Sequence, residues 1–177
     1  MLALKTIIVI FFTPFILLGQ LIDELPKDEN GNLLFSEVVQ VDSVSKNELY
    51  SRSKDFFVSV FKSAKDVVQL DDKEAGIVTG KGFSKIQEAG VELQMWYSIK
   101  IQSKNGRYKY EIFDLYFQYE AKTSPPSEVF DKSVYYKKNG EPRTAYETRK
   151  NEMLKKIKSL TESIKTTMNK KSKKDDW

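Results

Sequence analysis

The sequence predicts an α+β domain: a curved antiparallel sheet with two helices packed on one face. Three observations carry this expectation. Asn105-Gly106 is flanked by two long runs rich in β-branched and aromatic residues, Val91–Ser103 and Arg107–Tyr119. That is the pattern of a long hairpin closed by a tight type I′ turn. Apolar residues recur at helical spacing in two other stretches, one following Ser45 and one following Thr144. The order strand, helix, several strands, helix is that of a layered α+β domain with its helices on one side of the sheet.

Each element has its own signal. Pro26 and the Asn30-Gly31 turn lead into an expected strand over Leu33–Val41. Ser45-Lys-Asn-Glu48 has capping-box spacing, in which the serine side chain meets an otherwise unpaired N–H at the helix start. Leu49, Phe56, Phe57, Val60, Phe61 and Ala64 then make one apolar face of a helix of about five turns. Val67–Leu70 is a short strand, and Asp71–Gly76 turns the chain into a strand over Ile77–Ile86. Gly80 and Gly82 share one side of that strand, with Lys81 on the other, which points to a bulge or the close approach of an aromatic ring. Pro125-Pro126 marks a connection, and Val134–Tyr136 before Asn139-Gly140 reads as a short edge strand and turn. From Thr144, Tyr146, Met153, Leu154, Ile157, Leu160, Ile164 and Met168 form a stripe long enough to cross the sheet.

Counting outward from a two-residue loop sets the hairpin register. Ile99 faces Ile112 and Met95 faces Tyr116 on the side chosen as core. Lys100 faces Glu111, Ser98 faces Phe113, Trp96 faces Leu115 and Gln94 faces Phe117 on the other. Trp96, Phe113, Leu115 and Phe117 are therefore expected to form an apolar patch away from the helices, either a candidate partner-binding surface or a face covered by residues 121–142 or another exported chain segment. Asp114 opposite Tyr97 is a misfit on the core side. It is either held by a structural hydrogen bond or is a carboxyl group in a pocket.

Composition excludes several chemistries. The chain has no histidine, so serine–histidine and cysteine–histidine nucleophiles, imidazole bases and the usual catalytic zinc sites are ruled out. It has no cysteine, so packing must hold the fold without disulfides. Asp71, Asp72 and Glu74 lack the spacing of a calcium loop. Gly76–Gly82 falls short of a phosphate loop and lies between strands. No cofactor and no metal are implied.

Residues 1–19 have the form of a signal peptide, with Lys5 ahead of the apolar stretch Thr6–Leu18 and Gly19 before Gln20. The expected organisation is that segment, then a single domain over 20–168, then a basic tail over 169–177. Cleavage would leave no stable membrane span, and the expected location is periplasmic or extracellular. With 29 basic and 25 acidic residues interspersed, the mild positive balance argues for solubility and against a nucleic-acid partner.

Leu25-Pro26 followed by Gly31, Glu37–Asp42, Ser45–Tyr50 and Asp72–Gly82 together resemble DUF4468, an uncharacterised family of exported Bacteroidota proteins with a fold like that of the TATA-binding protein. The similarity is best over about residues 25–120. It implies a fold and an envelope or secreted setting and supplies no catalytic or binding residues, because shape does not transfer activity. The resulting expectation is a non-enzymatic binding or interaction module whose partner is an envelope protein or glycan. The alternative is a carboxylate-dependent glycan hydrolase using Asp114 with Glu111 or Glu92. Asp114 and Glu111 lie on opposite faces in the register above, which counts against it.

Overall fold

The computed structural model describes residues 25–61, 67–88, 90–119 and 135–170. The expected signal peptide, the Pro125-Pro126 connection and the lysine-rich run beyond Lys170 lie outside the described residues. The elements are β1 (Phe35–Gln40), α1 (Lys46–Val60), β2 (Val68–Asp72), β3 (Ile77–Glu88), β4 (Val91–Lys104), β5 (Arg107–Tyr119) and α2 (Thr144–Met168). The five strands form one open antiparallel sheet in the order β1-β5-β4-β3-β2.

Both helices lie on one face of this sheet. Inward positions alternate along β4 as Leu93, Met95, Tyr97, Ile99 and Ile101, all essentially inaccessible to water. Against them pack Leu49, Phe56 and Phe57 of α1 and Met153, Ile157, Leu160 and Ile164 of α2. The glycines of β3 explain how α1 comes so close. A Cβ added at Gly80 would meet the Phe57 ring at 2.5 Å, and one at Gly82 would run into Phe61. The glycines are therefore the floor on which the stacked rings of Phe57 and Phe61 rest, with centroids 6.0 Å apart.

Ser45 caps α1 as its spacing predicts, accepting a hydrogen bond from the Glu48 N–H at 3.2 Å. The helix stops at Val60, a turn sooner than expected, because Phe61 is already extended (φ −112°, ψ 135°) and lays its ring on Gly82. The hairpin loop is two residues long, but only Gly106 has a positive φ, so the turn is not type I′. A tertiary contact accounts for this. Asn105 Oδ1 accepts from the Lys46 N–H at 2.8 Å, and the Gly106 N–H donates to Val44 O at 2.9 Å. The loop is thus shaped by the start of α1, whose unpaired N–H groups need acceptors.

Midway along α1, buried Arg52 donates to Met168 O at 2.8 Å and pairs with Glu48 at 2.9 Å. One guanidinium so closes the C-terminus of α2 against α1, where a cation is favoured by the helix dipole. Arg149 of α2 sits between the rings of Phe117 (4.4 Å) and Tyr135 (4.5 Å) and bonds Glu88 at 2.8 Å. Tyr136 and Pro142 form an isolated bridge around the Asn139-Gly140 turn, a shorter pairing than the expected edge strand.

Candidate functional site

The outer face of the sheet, opposite the helices, carries a row of three aromatic rings. Phe83 pairs with Trp96 across β3 and β4, and Trp96 pairs with Tyr116 across β4 and β5. Their centroids are 4.9 Å and 5.9 Å apart, and the Trp96 and Tyr116 planes are within 6° of parallel. Lys81 extends its ammonium over the Tyr116 ring at 5.1 Å, where the electron-rich face attracts a cation. Phe83 is 42% exposed. Trp96 Nε1 is buried and without a hydrogen-bond partner among the described residues.

Only part of the expected patch is in this row. The register follows the count from the loop as far as Ser98 opposite Phe113 and then slips by one residue, so that Trp96 faces Tyr116 and Met95 faces Phe117. The cause is a bulge in β5 at Asp114, whose φ is 51°. An extra residue on one strand reverses the parity of everything after it. Trp96 and Phe113 remain on the outer face. Phe117 turns inward and is buried, and Leu115 packs against the core. The expected placement of Leu115 and Phe117 on the outer face is therefore corrected. Tyr116 takes their place, and Phe83 completes the row. Phe83 was legible from the glycines, since it falls on the same side of β3 as Lys81; Tyr116 was hidden by the bulge.

Asp114 is thereby explained. It is not a misfit on a buried face but an exposed bulge residue, and aspartate tolerates the left-handed region better than most side chains. Its Oδ2 accepts from Ser98 Oγ at 3.1 Å, while Tyr97 meets Ser84 Oγ instead, also at 3.1 Å. Burial pushes the Tyr97 phenol up.

Toward the hairpin loop the outer face becomes basic. A shallow depression of about 250 Å³ is lined by Val38, Gln102, Lys104, Arg107, Tyr108 and Lys109. Lys104 and Arg107 have no carboxylate partner among the described residues. Glu111 lies beside the depression, 2.6 Å from Lys109 and 3.3 Å from Lys100. Partial burial raises its pKa, but the Lys109 hydrogen bond and the Lys100 charge outweigh this and hold the carboxyl below its usual range. A carboxyl that stays ionised is poorly suited to donate a proton to a leaving group. Glu92 is likewise salt-bridged, 2.5 Å from Lys85.

Another polar cluster ties the sheet edge to α1: Tyr50 donates to Asp71, and Lys54 pairs with Asp71 at 2.7 Å. Lys54 and Tyr50 together lower the Asp71 pKa. Among the described residues no group of three or more acidic side chains is placed to hold a metal ion, and no helix is long and apolar enough to cross a membrane.

Comparison with known families places the fold. The model for a domain of unknown function with a TBP-like fold, DUF4468, matches residues 35–118, from the start of β1 to the end of β5. Over these residues the chain is similar to the DUF4468 family. The structure is similar to a crystal structure of a DUF4468 family protein from Bacteroides ovatus (TM-score 0.66, 14% identity, covering 85% of this chain and 93% of that one). It is also similar to a TBP-like protein from Parabacteroides distasonis (TM-score 0.64, 15% identity, covering 80% and 95%). At these identities the likeness speaks for the fold alone. No curated protein matches the chain. The DUF4468 match ends before α2, yet α2 completes the core here.

Proposed function

We propose that the chain is an exported, envelope-associated binding module without enzymatic activity, which takes its partner on the outer face of the sheet. The observation that supports this is the Phe83–Trp96–Tyr116 row on the face away from both helices. A sheet needs only one apolar face for its core, and a second aromatic surface usually marks a contact region. The carboxylates give the hydrolase alternative little support, since Glu111 and Glu92 are both engaged by lysines. Export rests on the form of residues 1–19 and on the resemblance drawn from the sequence.

The test is capture from the envelope fraction of the source cell by wild type and by a Phe83→Ser/Tyr116→Ser variant, with bound material identified by mass spectrometry and sugar analysis. The expected result is a ligand held by wild type and lost by the variant, with unchanged circular dichroism. Equal capture by both proteins would remove the outer face from consideration.

A further inference from the structure

We infer that the ligand of the outer face is an extended acidic polysaccharide, with sugar rings stacked on the aromatic row and spaced anionic groups held at the Lys104–Arg107–Lys109 depression. This rests on the binding reading above and adds the chemistry of the occupant. Three features of the face argue for it.

The first is reach. Trp96 and Lys104 both point outward on β4 and are eight residues apart, roughly 27 Å at the usual strand rise. A compact ligand cannot touch both features, whereas a polymer lying along the strand can.

The second is the lining between them. The outward positions of β4 there are Ser98, which is buried and donates to Asp114, and then Lys100 and Gln102, which are partly open to water. The last two make a hydrogen-bonding track suited to hydroxyl-rich units, while the C–H-lined face of a pyranose ring packs on an aromatic ring.

The third is charge complementarity. Lys104 and Arg107 are exposed cations without carboxylate partners among the described residues. Glu111 then interrupts the positive surface between Lys109 and Lys100. A polymer charged on every unit would meet that carboxylate. One with charges on alternate units can place an acid at the depression and a neutral ring beside Glu111. Single-stranded nucleic acid also stacks on aromatic rings, but it carries a phosphate at every step and favours an unbroken cationic groove.

Binding of the purified chain to hyaluronan, which has one carboxylate per disaccharide, separates these cases when measured beside polygalacturonate, neutral dextran and oligothymidylate. The expected order is hyaluronan above polygalacturonate, with dextran weakest. Lys104→Gln/Arg107→Gln is expected to weaken hyaluronan binding at least tenfold and to flatten its salt dependence, because fewer counterions are exchanged. Both side chains are exposed, so the fold should tolerate the change. Phe83→Ser should weaken hyaluronan binding by a similar factor and leave the salt slope intact. The inference is overturned if neither acidic polymer binds, if oligothymidylate binds more tightly, or if the double variant binds hyaluronan as wild type does. Failure here with Phe83-dependent envelope capture intact would leave the binding reading standing. Loss of both would end it.

Discussion

The two faces of β3 show how one strand serves two purposes. Its inward positions include Gly80, Gly82 and Ile86, and the glycines are bare so that Phe57 of α1 and Phe61 just beyond it can lie on the backbone. Its outward positions are Lys81, Phe83 and Lys85, and here the strand supplies the aromatic ring itself. Inside, rings are held at 0% exposure for Phe56 and Phe57. Outside, Phe83 stays open to water and meets the tilted ring of its cross-strand neighbour Trp96. The same chemistry thus has different surroundings: the inner rings are closed off from water, and the Phe83 ring is open to it.

Substitutions should divide along this line. The largest loss is expected for Arg149→Ala, which removes the guanidinium between Phe117 and Tyr135 and leaves Glu88 in a poorly hydrated place. Breaking such a buried pair costs about 3–5 kcal/mol, to be read from urea unfolding. Gly80→Ala should follow. Its methyl group would press on Phe57, which has nowhere to go, and overpacking of this kind costs about 1–3 kcal/mol. A Gly80→Ala variant as stable as wild type would show that the α1 interface is looser than the geometry indicates.

Asp114 sharpens the comparison, since its bulge decides which residues belong to which face. Asp114→Val should lose about 1–2 kcal/mol, the cost of forcing a branched side chain into the left-handed region, while Asp114→Gly should lose only the Ser98 hydrogen bond, about 1 kcal/mol. Deleting Asp114 should remove the bulge and restore simple alternation while keeping Tyr116 outward and Phe117 inward, so binding of a hydrophobic dye should stay at the wild-type level. Phe83→Ser is expected to change stability by less than about 1 kcal/mol while weakening ligand binding.

The smallest effect concerns pH. Glu37 on edge strand β1 accepts hydrogen bonds from Lys165 of α2 and from Tyr110, each at 2.7 Å. The Lys165 hydrogen bond, aided by the one from Tyr110, holds its carboxyl below the ordinary glutamate value of 4.5 despite some opposing burial. A depressed carboxyl contributes stability that is fully present above that value and fades as pH falls through the lower folded one. Glu37→Gln should therefore flatten the acid limb of the stability profile and leave neutral pH nearly unchanged, since the site is half exposed.

Much of the candidate site was legible before any coordinates. Trp96 and Phe113 were placed on the outer face by counting from Asn105-Gly106, and the charge match of Lys100 with Glu111 fixed the register on that side of the bulge. Leu115 and Phe117 were misplaced by the same count, because parity is only as good as the regularity of the ladder. Asp114 carried the warning: a carboxylate that fits neither face is a residue at which alternation fails.

The chain's own pattern determined the strand–helix–strands–helix order, the Ser45 cap, the two-residue hairpin loop and the apolar stripe of α2, because these rest on neighbours a few residues apart. The tertiary structure alone decided the turn conformation at Asn105, which answers to the start of α1, and the end of α1, where Phe61 prefers Gly82 to another helical turn. It also decided the makeup of the outer row. That row depends on a single left-handed residue, and backbone conformation at one position is selected by the packing of the strands around it, not by a periodicity that can be read along the chain.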